Sequence, residues 1–380
     1  MPDTAADRSE TGEASDVALF AEIPLTKQDI LNCSYSNWYN KFNKHTLSRV
    51  EILKPIPKEF VDYLASDEFT LPKEAPHESS LFTKPRCNSD NEYSDWEDDE
   101  LVETSNNSKR PDPTLKFNDF HNDVKRVFTE FKSVAPKLNW SAPQDSTWIM
   151  VNKTMQCHSP SDVYLLLKSS DYINHDLYHA FDGLDDQTPV EPSTFDYELV
   201  LREWVDVNPS MEFRCFVRDR QLIAISQRDL NYYDFLEEIQ DQVLEKIAMF
   251  FDDVLLPKFD SNSFVFDVYI PKTIAKVFLI DINPFARKTD SLLFSWHELA
   301  TLKVDDDDVK FRLVTKYNTG QFASKAHGQN HVPKDVLDAS LDTAGMIELA
   351  QRWAKLLSSD GTTNLQDDDD DDDEDDTDEL

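Results

Sequence analysis

Six glycines in 380 residues, with none between Leu184 and Thr319, remove a class of architectures from consideration. Glycine-rich turns supply the positive φ angles and the close backbone approach on which GxGxxG and Walker-type phosphate loops depend. An anionic ligand bound in this middle stretch must therefore be held by side chains or by a metal. The same stretch contains two apolar runs that read as buried strands, FVFDVY at 264–269 and LIDINPF at 279–285, each carrying one aspartate.

Asp267 and Asp281 are thus projected from adjacent strands. Two ionised carboxylates about 4 Å apart repel by roughly 4 kcal/mol at an effective dielectric near 20, so the pair implies a bound cation, a shared proton or a basic neighbour. Relieving that repulsion by neutralising Asp281 should leave the free protein no less stable. Side chains alternate along a strand, so Asp281 and Asn283 share a face and offer two oxygen donors suited to magnesium. The competing reading has both aspartates facing solvent or paired with arginine, with Asn283 opening a turn before Pro284. Arg202, Arg214 and Arg228 lie in LREW, EFRCFV and SQRD, strand-like sequence in which arginines need anionic partners. Alternation sets Glu212 and Arg214 opposite Phe213, Cys215 and Val217, so Arg214 leaves the core face and can reach either a phosphate or a carboxylate. PKLNWSAP, residues 136–143, offers Lys137 on a strand and a short polar turn.

Periodicity organises the rest. Ile30, Leu31, Trp38, Tyr39 and Phe42 predict helix between Lys27 and Phe42, followed by a strand at Val50–Leu53 and a helix around Phe60–Leu64. Phe117, Phe120, Val124, Val127, Phe128 and Phe131 form one helical face. Strand-like runs follow at Trp148–Val151, Tyr197–Trp204, and a hairpin of Phe213–Val217 with Leu222–Ser226. A helix near Asp162–Lys168 is capped by Ser159 or Ser161. Leu236 to Val254 reads as a long amphipathic helix, Phe264–Tyr269 and Val277–Ile282 as paired strands, and Thr343–Leu357 as a last helix. Helices and strands share one core, which makes the fold class α+β.

Polar, acidic composition predicts disorder at residues 1–24, in an insertion at 72–113, and in a tail at 359–380, with an ordered domain over 25–358 and another acidic loop at Asp305–Asp308. Within the insertion, Ser89 and Ser94 have the acidic surroundings that an acid-directed kinase favours. Twelve acids at Asp367–Glu379 belong to the formal charge of −36, and the chain without them still carries −24. Such a field disfavours nucleic acid and anionic lipid and favours a basic protein partner. Cys33, Cys87, Cys157 and Cys215 show no metal-ligand or disulfide spacing, which points to reduced thiols. No apolar run approaches a membrane span, so a soluble, cytoplasmic protein is expected. No serine elbow of the GxSxG kind is present, and Cys215 lies on a core face, which disfavours hydrolase chemistry.

Taken in order, PKLNWSAP, YELVLREW, EFRCFV, SQRD, FVFDVY, LIDINPF and DSLLFSW closely resemble the cell division cycle protein 123 family, as does CSYSNWY near the N-terminus. The resemblance runs from about Asn32 to Glu298. It implies a two-lobed, ATP-grasp-like fold that holds ATP and magnesium. It also implies a monomeric assembly chaperone that binds the gamma subunit of eukaryotic translation initiation factor 2, supporting translation initiation and the cell cycle. Position by position, it places Lys137 and Arg214 beside phosphate, Arg202, Glu203 and Trp204 beside adenine, and Asp267, Asp281 and Asn283 on magnesium. It adds Asn139, Trp140, Ala142, Asp145 and Arg228 to the ATP site. Glu203 stands where other members have a lysine, and Ala286 and Arg287 where others have a glycine and an acid, so the loop after Pro284 is assigned no role. An ATP-grasp ligase or kinase is the alternative activity, since the same constellation would serve acylphosphate chemistry.

Overall fold

The computed structural model describes residues 23–72, 112–182, 184, 195–303 and 309–318. Nearly all of the N-terminal stretch, most of the acidic insertion with Ser89 and Ser94, the run at 305–308, the helix expected near Thr343–Leu357 and the aspartate tail lie outside the described residues.

Two sheets organise the molecule. The first is antiparallel, with β3 (Leu199–Glu203) between β1 (Val50–Leu53) and β2 (Val134–Lys137). Helices α3 (Lys58–Ala65), α4 (Asn118–Glu130), α5 (Pro160–Lys168) and α6 (Asp171–Tyr178) share its core. The predicted stripe on α4 is buried at Phe120, Val124 and Val127, and α5 starts in a capping box in which Ser159 accepts from the Asp162 amide.

The second sheet has the order β7-β6-β4-β5-β8, formed by Phe278–Pro284, Phe264–Tyr269, Glu212–Arg218, Gln221–Gln227 and Lys310–Arg312. All its pairings are antiparallel except β5 with β8. One face, carrying Phe213, Cys215, Phe266, Leu279 and Ile282, packs on α1 (Lys27–Asn32), α2 (Tyr35–Phe42) and α7 (Phe235–Phe250). The opposite face buries Phe216, Ala224 and Val265 against Phe285, Phe294 and Trp296, the last opening α8 (Trp296–Thr301). The expected α+β, two-lobed organisation is the one observed.

Two local expectations change. The helical pattern over Lys27–Phe42 is broken into α1 and α2, because Ser34 adopts an extended ψ of 137° and its hydroxyl is committed to buried Glu198. The strand expected at Trp148–Val151 is absent. Residues Gln144–Ile149 form a 3₁₀ turn instead, leaving Trp148 67% and Val151 64% exposed. The Ser146 hydroxyl donates to the Pro143 and Leu166 carbonyls, which fixes a turn where the apolar run suggested extension. Cys33, Cys157 and Cys215 are buried free thiols, and burial pushes all three up in pKa. Among the described residues no helix is long and apolar enough to cross a membrane.

Candidate functional site

The β4 alternation places Arg214 where it was expected, opposite Phe213 and Cys215. Across the neighbouring strands, Arg214 pairs in register with Asp267, and Asp267 with Asp281. Ser226 and Arg312 continue the row on the other side, so all five strands contribute a polar residue to one level of the sheet. A bulge between Asp267 and Val268 resets the phase of β7. Leu279 and Ile282 stay buried, while Asp281 and Asn283 face out of the core.

The basic neighbour of Asp267 is Arg214. Its Nε and Nη2 each lie 2.8 Å from one carboxylate oxygen, and Nη1 donates to the Asp290 carbonyl at 2.8 Å. Burial alone would raise the Asp267 pKa, but the guanidinium in this fork outweighs it and holds the carboxyl below the usual range. Arg228 donates to Glu212 at 2.8 Å and lies 3.6 Å from Asp267. Glu212 is raised, first by burial and then by the Asp267 charge, against the pull of Arg228. The Arg202 side chain, half-buried near the end of β3, forms no hydrogen bond or ion pair among the described residues, although its charge is felt at Glu212 and Tyr35.

Asp281 meets a cation from the other sheet. The Lys137 ammonium, 1% exposed on β2, lies 2.7 Å from Asp281 Oδ2 and also donates to the Trp140 carbonyl. This ion pair joins the two sheets. Asn283 is half-buried, and its side chain makes no hydrogen bond to a described residue. Each Asp281 oxygen accepts one hydrogen bond, Oδ2 from Lys137 and Oδ1 from the Ile282 amide, and each Asp267 oxygen accepts one from Arg214, so both carboxylates keep lone pairs that a hard cation can use. Among the described residues no group of three or more His, Cys, Asp or Glu side chains is arranged to hold a metal.

The turn after Lys137 is fastened to the fold. Asn139 donates to Ser34 and the Asp196 carbonyl and accepts from the Glu198 amide. Trp140 donates its indole N–H to the Ile30 carbonyl, the Ala142 carbonyl accepts from the Gln144 amide, and Asp145 accepts from Ser170 and from the Asp171 and Tyr172 amides. Glu203 is bidentate with Arg49 at 2.7 and 2.8 Å, and the Trp204 amide donates to Ser133. The structure thus brings Lys137, Arg214, Arg228, Asp267 and Asp281 into one charged cluster between the sheets. Asn139, Trp140 and Asp145 enter as framework, and Glu203 is held at the rim by Arg49.

Two residues of the site had no signal in the sequence. Tyr172, raised to about 12 mainly by burial, also feels Asp145, Asp290 and Arg214. Asp176, 3% exposed, binds the turn after Lys137. Both sit on α6, whose sequence DYINHDLY has little helical stripe to reveal it.

The D123 family model matches residues 38–340. Cell division cycle protein 123 of Candida glabrata is 47% identical over 345 residues, covering 90% of this chain and 96% of the relative. A translation initiation factor eIF2 assembly protein of Vanderwaltozyma polyspora is 45% identical over 356 residues, covering 90% and 95%. The structure of Cdc123 from Schizosaccharomyces pombe superposes with a TM-score of 0.62 at 36% identity, over 78% of this chain and 100% of that one. On the family model, these identities and the shared structure, the chain belongs to the D123 family, the cell division cycle protein 123 family that its motifs resemble.

Proposed function

We propose that this chain binds magnesium ATP in an ATP-grasp-like manner between its two sheets. In that state it acts in the cytoplasm, as a monomer, as an assembly chaperone for eukaryotic translation initiation factor 2, docking on the gamma subunit. The observation that carries the reading is the Lys137–Asp281 pair, which sets a buried cation of one sheet against the polar row of the other. Relatives named as eIF2 assembly proteins at 45% identity supply the biological role.

In this scheme Lys137, already oriented by the Trp140 carbonyl, and Arg214 receive phosphate oxygens, with Arg202 and Arg228 as further cations. Arg202, Glu203 and Trp204 border the adenine, and Asn139, Trp140, Ala142 and Asp145 shape the turn beside it. Asp267, Asp281 and Asn283 would supply the oxygen donors for magnesium through their remaining lone pairs. Bound magnesium would neutralise phosphate charge. A ligand that touches both sheets favours the arrangement in which they are apposed in proportion to its differential affinity for it, so binding alone can shape a partner surface.

The test is reconstitution of the alpha, beta and gamma subunits with this protein, scoring trimer yield with ATP and with a non-hydrolysable analogue. Full yield with the analogue, lost in Arg214→Ala, supports the binding-only reading. Yield that requires ATP and tracks phosphate release restores a ligase or kinase activity. Yield indifferent to nucleotide removes ATP from the function.

A further inference from the structure

Lys137 is a buried ammonium whose position the nucleotide reading depends on, and its own strand does not explain where it points. Its ammonium donates to the Trp140 carbonyl three residues on and to Asp281 on β7 of the other sheet. The direction of that carbonyl is set by the turn Leu138–Ser141, closed by the Leu138 amide on the Ser141 carbonyl. What holds the turn is a residue of α6. Asp176 Oδ2 accepts from the Ser141 amide at 2.7 Å and the Trp140 amide at 3.2 Å, and Oδ1 accepts from the Ser141 hydroxyl at 2.7 Å. A carboxylate this deep is costly unless its lone pairs are filled, and here three donors from two consecutive residues fill them.

The fastening is reciprocal. Asp145, at the far end of the same loop, accepts from Ser170 and from the first amides of α6. The loop from Lys137 to Asp145 is therefore pinned to both ends of one helix. The Lys288 ammonium, from beyond β7, donates to the Ala180 carbonyl just past that helix. Helix α6 is the frame on which the turn is built, and Asp176 is the contact nearest Lys137.

We infer that Asp176 is a positioning residue for the nucleotide site: it orients the Trp140 carbonyl and thereby directs the Lys137 ammonium at Asp281 and at an incoming phosphate. The inference rests on the proposed nucleotide reading for its functional consequence but not for its geometry. Asp176 itself touches no ligand in this scheme.

Asparagine at 176 can still accept both backbone N–H groups through its carbonyl oxygen while its amide faces the Ser141 hydroxyl. Alanine can do neither. The experiment compares Asp176→Asn and Asp176→Ala, with Ser141→Ala as a milder variant that retains the carboxylate and both amide contacts. Magnesium ATP affinity is measured by calorimetry, and hydrogen exchange at the Trp140 and Ser141 amides by NMR. Loss of a supporting contact of this kind costs roughly tenfold or more in affinity, so Asp176→Ala is expected to bind at least that much more weakly, with both amides exchanging faster. Asp176→Asn should stay close to the parent in both measurements.

Folded Asp176→Ala with parental amide exchange overturns the inference, because the turn would not need Asp176. Equal loss of affinity in Asn and Ala variants also overturns it, since charge and not geometry would then be at work. If Asp176→Ala does not fold, Asp176→Asn decides: parental affinity with parental exchange at Trp140 and Ser141 supports the inference, and a tenfold loss of affinity with parental exchange sinks it. Should the parent protein bind no ATP, the nucleotide reading falls, and the exchange data alone still decide whether Asp176 holds the turn.

Discussion

Asp267 is 2% exposed among apolar strands, and what makes an ionised carboxylate tolerable there is the two-point fork of Arg214. Removing one member of such a pair strands the other, which typically costs 3–5 kcal/mol. Asp267→Ala is therefore expected to lose about that much stability in urea unfolding, and a loss below about 1 kcal/mol would show that Arg214 finds another anion. Asp281→Asn is a different case. The sequence suggested relief from repulsion by Asp267, but Arg214 and Lys137 already neutralise the two carboxylates, so the variant leaves a buried ammonium without its counter-charge. The expected outcome is a lower melting temperature together with much weaker magnesium ATP binding, and unchanged affinity in titration calorimetry would remove Asp281 from the site. His121 provides a pH signature. Buried on α4 with Nδ1 3.0 Å from the Tyr164 hydroxyl, it is lowered from 6.5 to about 4, chiefly by burial. The unfolded chain takes up the proton first, so this contribution is complete above pH 6.5 and is lost as pH falls toward about 4. His121→Gln should flatten the upper part of that slope in denaturation midpoints measured across pH, and an unchanged slope would assign it to other groups.

Elements whose side chains obey a strict period were legible before any coordinates. The strand at 212–218 alternates, so Arg214 could be placed off the core face from sequence alone, whereas the apolar runs at 264–269 and 279–285 marked Asp267 and Asp281 only as neighbours on adjacent strands. What alternation cannot supply is the partner of each charge, which is set by register between strands 53 residues apart for Arg214 and Asp267 and by the meeting of two sheets for Lys137 and Asp281. Helix α6 escaped notice because its buried Ile173 and Asp176 make no apolar stripe, and β8 because three residues carry no period. Trp148–Val151 misled because an apolar run says nothing about a serine hydroxyl that closes a turn beneath it. Capping, in contrast, was readable. Ser159 was one of two candidates for the α5 cap and is the one used, so Ser159→Ala should cost about 1 kcal/mol in chemical denaturation, whereas Ser161→Ala leaves that cap in place and should cost less. The reverse order would mean that the cap is shared differently in solution.

At the scale of the whole molecule, charge and fold are separable. Asp367–Leu380 hold twelve acids and one terminal leucine, a composition that offers no apolar anchor for packing. Deleting them is expected to leave the melting temperature within a degree or two, and a fall of many degrees would show that the run docks on the core. The path of the chain has a different consequence. Helices α1 and α2, near the beginning of the sequence, bury Ile30, Trp38 and Phe42 in the same cluster as Leu279 and Ile282. Those strand residues are synthesised about 240 positions after Phe42. At translation speeds of roughly 5–20 residues per second, the first two helices wait on the order of ten to fifty seconds for the surface they cover. A nascent chain of this protein therefore displays a tryptophan and two other large apolar side chains throughout most of its own synthesis, which makes it a natural substrate for ribosome-associated holding factors before it can serve any partner of its own.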